Sequence, residues 1–269
     1  MTLRSAPITR LVVAWVALCA ALPAACATAP PSATSSSLPT AAIVVPTFTP
    51  AVAPTATATG LSLTIIAPEV LPTVRRDVTA ALEAAAPGIC AALVVACDFP
   101  VTVELYPDQA ALDRHVMNPD MRGFFAVSGG GRIQMVSPAN VASRDLTYED
   151  ATGIAAHEFV HLALDRIAPE LPDWLEEGTA VYLGPHAVYE AARGEASLRA
   201  MTPTFAALRD DYGNVPAADF FAYTVVAYIV ETRGIGALNA LLRAPDDLEA
   251  ALGMTEAAFA AGWRVSLEE

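Results

Sequence analysis

The stretch ATGIAAHEFVHLALDRIA, residues 151–168, is apolar through its middle apart from two imidazoles and one carboxylate. Its spacing predicts an α-helix. On a helix, positions i and i+4 share a face one turn apart. His157 and His161 then point the same way and can bind one metal ion between them. Glu158 follows the first of these ligands and would lie beside the metal rather than on it. Two helix ligands with an adjacent base is the pattern of a zinc hydrolase. The polar residues are also out of keeping with a helix meant only for burial. The chain has 4 histidines, and two of them stand at this spacing.

A catalytic zinc takes three protein ligands and leaves one position for water. No third histidine follows at the His-x-x-Gly-x-x-His spacing. Instead LPDWLEEGTA, residues 171–180, comes next. Pro169 and Pro172 end the first helix and force a turn. A second helix can start near Asp173, a suitable N-cap, and carry a glutamate back toward the histidines.

His157-Glu158-x-x-His161 followed by Trp174-Leu175-x-Glu177-Gly178-x-Ala180 resembles the gluzincin zinc peptidases of the peptidase MA-like group. The resemblance implies an α+β, zincin-like metallopeptidase fold: a small mixed sheet, then a mainly helical part carrying the HExxH helix. It implies a Zn²⁺ site of His157, His161 and Glu177, since in that family the glutamate before the glycine completes the site. Glu176 is the alternative. Adjacent helical residues point about 100° apart, so only one of the two can be the ligand. The resemblance extends to Gly129–Ser137, similar to the family's glycine turn and edge strand. It also takes in Phe221–Gly234, similar to the helix after the metal site, and the terminal segment from Ala251 to Trp263.

The activity implied is hydrolysis of a peptide substrate by a water that zinc activates. Glu158 would take the water's proton and pass it to the leaving amine. A tyrosine stabilises the oxyanion in related gluzincins. Tyr223 is the candidate here, with Tyr182, Tyr212 and Tyr228 as rivals. Arg132 to Ser137 is the candidate for the edge to which an extended substrate adds as a strand. Two other readings stay open: a zinc hydrolase of a different amide, and a non-catalytic zincin-like binding lipoprotein.

The rest of the chain sets the context. Residues 1–26 read as an export signal: Arg4 and Arg10, an apolar run from Leu11 to Leu22, then Pro23-Ala24-Ala25-Cys26. Small residues before a cysteine resemble a lipoprotein cleavage site, which would make Cys26 the lipidated first residue. Cleavage after Ala27, or retention of Leu11–Ala29 as a membrane anchor, are the alternatives. Each places the remainder outside the cytoplasm. Residues 27–60 are rich in Ala, Pro, Thr and Ser and read as a disordered tether. As a flexible coil it would span about 30–35 Å.

The peptidase domain is expected over 61–269. Leu61–Ile66 reads as a strand, Val70–Ala86 as a helix stopped by Pro87-Gly88, and Val101–Leu105 as a second strand. Pro107-Asp108 opens a short helix, and Gly123–Val127 and Arg132–Val136 form two strands about a glycine turn. Cys90 and Cys97 can form a short-range disulfide in an oxidising compartment. The formal net charge is −14, with arginine as the sole strong cation, and removing Arg4 and Arg10 takes it to −16. That balance argues against nucleic acid as a partner. Asp165 reads as a solvated acid at the helix end, with a supporting contact to a ligand histidine as the alternative. His115 and His186 read as surface residues. Trp174 and Trp263 read as packing residues that hold the second and the terminal helix in place.

Overall fold

The computed structural model describes residues 61–116, 119–140, 146–184 and 196–268. Residues 1–60, which the sequence reading assigns to an export signal and a tether, and His186 lie outside the described residues. Strand β1 (Ser62–Ile66) is followed by helix α1 (Pro72–Leu93), β2 (Pro100–Tyr106), α2 (Gln109–His115), β3 (Ala126–Gly129) and β4 (Arg132–Val136). Helices α3 (Tyr148–Leu164) and α4 (Asp173–Leu183) come next. After them stand α5 (Ala196–Ala200), α6 (Phe205–Asp210), α7 (Ala218–Arg233), α8 (Ile235–Arg243), α9 (Leu248–Leu252) and α10 (Glu256–Ser266). The protein is thus a mixed α+β structure with one small sheet and a mostly helical remainder. Among the described residues no helix is long and apolar enough to cross a membrane.

The sheet order is β1-β2-β4-β3. β1 pairs parallel to β2, β2 parallel to β4, and β3 antiparallel to β4. This corrects the expectation that Arg132–Ser137 is an edge. The glycine turn at Gly130-Gly131, both at positive φ, folds β3 and β4 into a hairpin. Thr102–Tyr106 of β2 then occupies the other side of β4. Both hydrogen-bonding sides of β4 are filled, and among the described residues the edge strands are β1 and β3.

Alternation sorts the two faces of the sheet. Val101, Val103, Leu105, Ile133 and Met135 are buried against α1 and α3. On the opposite face Tyr106 Oη donates to Glu104 at 2.8 Å, and Gln134 Nε2 donates to the same carboxylate at 2.7 Å. His115 is exposed and its ring stands 4.7 Å from that of Tyr106.

Helix α1 also departs from expectation. It does not stop at Pro87 but runs on to Leu93, with Val94 at φ 55° as its C-cap. An interior proline removes one ladder bond and clashes with the preceding turn, a cost of about 3 kcal/mol. Local features offset it. Ile89, Cys90 and Leu93 are buried on the far side of the proline. Asn239 Nδ2 donates to the Ala92 carbonyl at 2.6 Å and Arg243 Nη2 to the Leu93 carbonyl at 3.1 Å, so α8 satisfies the helix end. The Cys90–Cys97 disulfide, expected from the sequence, closes the loop beyond it.

Helix α3 is the centre of the molecule. Thr147 caps it: its hydroxyl accepts from Asp150 N, while the Asp150 carboxylate accepts from Thr147 N. From Ile154 to Leu164 every side chain is buried, because α1, β3, β4 and α4 surround it. Helix α4 lies between α3 and α7. Its closest approach to α7 is at Gly178, where a Cβ would stand 2.5 Å from the Ala222 carbonyl oxygen and 2.8 Å from Val226 Cγ2. Trp174 packs edge-on against Phe205 of α6, with centroids 5.2 Å apart, and Trp263 Nε1 donates to Thr224 at 3.1 Å.

Gly178→Ala should therefore force α4 away from α7. The expected loss is about 1–3 kcal/mol, since overpacking of a tight interface costs that much. Chemical denaturation would read it as a lower midpoint at unchanged slope.

Candidate metal centre

Two helices meet at one buried group. His157 and His161 come from the middle of α3 and Glu177 from the second turn of α4, and all three are within 6% of full burial. Their ligand-type atoms all lie within 4.8 Å of one another. His157 Nε2 and His161 Nε2 are 3.2 Å apart. Glu177 Oε2 stands 3.6 Å from the first and 3.7 Å from the second. Donors on a tetrahedron about 2.0–2.1 Å from a central zinc are separated by about 3.3–3.4 Å. The three observed separations bracket that range. Glu177 Oε2 has no hydrogen-bond partner although it is buried. An orphaned buried carboxylate oxygen facing two imidazole nitrogens fits a cation between them.

The loop and the helix ends put these groups there. Residues 165–172 reverse the chain, and α4 starts at Asp173 with Pro172, not Asp173, in the cap position. Gly184 ends α4 directly against α3: a Cβ there would come within 3.1 Å of His157 Cα.

Glu176 has a different place from its neighbour. Its Oε1 lies 3.0 Å from His161 Nδ1. A neutral His161 then carries its proton on Nδ1, donates to Glu176, and turns the Nε2 lone pair toward His157 and Glu177. So Glu177 joins the donor atoms while Glu176 orients one of them. The sequence reading places Asp165 at the helix end as a solvated acid, with a contact to a ligand histidine as the alternative. Asp165 is the C-cap of α3, its N–H bonded to the His161 carbonyl.

Glu158 is 1% exposed, and its Oε2 also lacks a hydrogen-bond partner. Burial raises its pKa, while the His161 and His157 charges and the Ser128 hydroxyl of β3 oppose that. Burial pushes the Glu177 carboxyl up to about 8. It drives His157 down to about 4, with the His161 charge adding to the effect. At His161 burial acts downward, but the Glu177 and Glu176 carboxylates outweigh it and hold the imidazole up to about 9.

Tyr223 is buried and stacks on Tyr182, with centroids 6.3 Å apart, in a small cluster with Val181 and Ala227. Tyr228 is half-buried against Phe259. Tyr212 donates its hydroxyl to Asp219 at 2.6 Å. Asp219, which sequence reasoning did not single out, accepts that bond. It stands in the first turn of α7, one turn before Tyr223 on the same helix face. Burial and the Glu177 charge push its carboxyl up to about 6, and the two histidines act on it as well.

No protein-family model matches the chain, and neither does any curated protein.

Chelator-stripped protein should take up one divalent ion per chain and release protons in doing so. Glu177 and His161 face each other and both have raised proton affinity, so the pair holds a proton that the metal displaces; the proton affinity of His157 is lowered by burial. Affinity should therefore rise with pH through neutrality, with about one proton released per ion. Calorimetry in buffers of different ionisation enthalpy measures this. Glu177→Ala should abolish tight binding. Glu176→Ala should weaken it by about 10–100-fold, the usual effect of removing a ligand's supporting partner.

Proposed function

We propose that the protein is a zinc-dependent peptidase of gluzincin type, with a zincin-like fold, acting outside the cytoplasm. The observation that carries this reading is the buried group of His157, His161 and Glu177 with Glu158 beside it. Two imidazoles and one carboxylate suit zinc among the biological divalent ions. Bound there, zinc would supply Lewis acidity toward the scissile carbonyl and the attacking water.

The chain's own residues account for the remaining steps. Glu158 takes a proton from the attacking water and returns it to the leaving nitrogen. Burial raises its proton affinity, while the two histidines and the Ser128 hydroxyl act against that rise. Glu176 holds the His161 ring in the orientation that ligation needs. Tyr223 is the proposed donor to the oxyanion. β3, which carries Ser128, offers an open sheet edge beside α3 where an extended peptide can add as a strand. The N-terminal export signal and the Ala/Pro/Thr/Ser-rich segment support an extracytoplasmic site, tethered to a membrane through lipid on Cys26.

Glu158→Gln tests the role of the base. The variant should keep one zinc per chain yet lose about 10²–10⁴-fold in turnover of a mixed peptide library, the range for removing a general base. Equal turnover in the variant would refute the assignment. Zinc binding with no turnover of any peptide by the parent protein would point to a different amide substrate.

A further inference from the structure

Val94 holds a conformation that its own side chain opposes. Its φ of 55° lies in the left-handed region, where a β-branched residue is a genuine outlier. The side chain is 71% exposed, so no packing of its own offsets the strain. Such a conformation persists only where the surroundings over-determine it. Three contacts do so here. Val95 N donates to the Cys90 carbonyl at 3.0 Å, Arg243 Nη2 donates to the Leu93 carbonyl, and the Cys90–Cys97 bridge closes the turn. A bridge across so short a loop removes less chain entropy than a long one would, and it acts chiefly on local geometry.

The turn is joined to the metal helix. Two residues beyond Cys97, Phe99 is buried and stacks on Phe159 of α3, with ring centroids 5.6 Å apart and planes within 11°. Phe159 directly follows Glu158 and stands two residues before His161. The Arg166 guanidinium lies 5.7 Å from the centre of the same Phe99 ring. Arg166 belongs to the loop 165–172 that leads to α4 and Glu177. One ring thus touches both the helix that carries the histidines and the loop that sets the glutamate. Cys90 is buried and Cys97 half-buried, so Cys97 Sγ is the sulfur that an outside thiol reaches.

We propose that the Cys90–Cys97 bridge is a redox-sensitive clamp on the metal centre: a dithiol reductant opens it, the Val94 turn relaxes, and Phe99 loosens its hold on Phe159, so that the zinc ligands lose preorganisation. The step is thiol–disulfide exchange. A thiolate of the reductant attacks Cys97 Sγ and forms a mixed disulfide, and Cys90 leaves as a thiolate that takes up a proton. The reductant's second thiolate then displaces Cys97, which is protonated in turn. The reductant departs as a cyclic disulfide, and its two electrons stay with the two cysteines. Exchange with a disulfide oxidant runs the same steps backward and restores the clamp. The inference rests on the metal centre and goes beyond the peptidase reading.

The test uses the full chain with Cys19→Ser and Cys26→Ser, so that only this bridge responds. Dithiothreitol should open the bridge at pH 7 with the far-UV circular dichroism unchanged, and the amides of Ile154–Leu164 should then exchange hydrogen faster. Cys90→Ser with Cys97→Ser gives a permanently open form whose hydroxyls, unlike thiolates, do not compete for zinc. Its calorimetric affinity for Zn²⁺ should be at least about tenfold weaker than that of the bridged protein, the scale of losing a ligand's supporting contacts. Val94→Asn tolerates the left-handed turn and should shift the thiol–disulfide equilibrium toward the bridge by at least about fivefold. With Phe99→Leu in place, bridged and open forms should bind zinc equally. Equal zinc affinity and equal α3 exchange in the bridged and open forms of the parent overturn the inference. So does a bridge that dithiothreitol leaves intact, or opens only as the whole fold melts, because it is then a staple. A Phe99→Leu protein whose zinc affinity still follows the bridge overturns it too, since the route through the ring is gone. If neither form binds zinc but α3 exchange still follows the bridge, the clamp stands and the metal centre falls.

Discussion

Three side chains that ordinarily seek water are held away from it in the middle of the molecule. Carboxylates and imidazoles at such depth are costly unless something opposes their charge. The cost shows in their proton affinities: Glu177 is raised, His157 lowered and His161 raised against its own burial. Each group is held there by packing that cannot easily relax. Helix α3 is enclosed on all sides over its last eleven residues, Ile154–Leu164. Helix α4 is pinned to α7 through the missing side chain of Gly178, and to α3 through that of Gly184. A group built this way is preorganised, because its side chains cannot swing out to solvent.

Much of the centre was legible in advance because helix geometry relates spacing to direction. His157 and His161 converge because they are four apart, and Glu177 because two prolines interrupt the chain before a second helix. Neighbouring glutamates on that helix point different ways, so Glu176 and Glu177 had to play different parts. The contact of Glu176 with His161 Nδ1 was not legible, since it depends on how α4 is rotated against α3.

The fold shows the same division. The strands and short helices came from alternation and turn residues, and the disulfide from two nearby cysteines. The proline at position 87 misled because it is a reliable local stop signal. Burial of Ile89 and Leu93, together with the caps from Asn239 and Arg243 of distant α8, overrides it. The place of β4 misled for a related reason. A strand's sequence shows which face is buried but not how many neighbours it has, and pairing with β2 thirty residues earlier is invisible from within the strand.

The enclosure of α3 also decides where this chain can change length over evolutionary time. One residue inserted between Thr147 and His157 turns everything after it by about 100°. His157 and His161 would then turn away from Glu177, and the apolar surround would have no way to take in the displaced polar groups. The eight residues 165–172 have no such restriction, because they join two helices whose positions are set by other contacts. Related chains should therefore keep the span from the Thr147–Asp150 cap to His161 constant to the residue, while the loop before Asp173 varies in length.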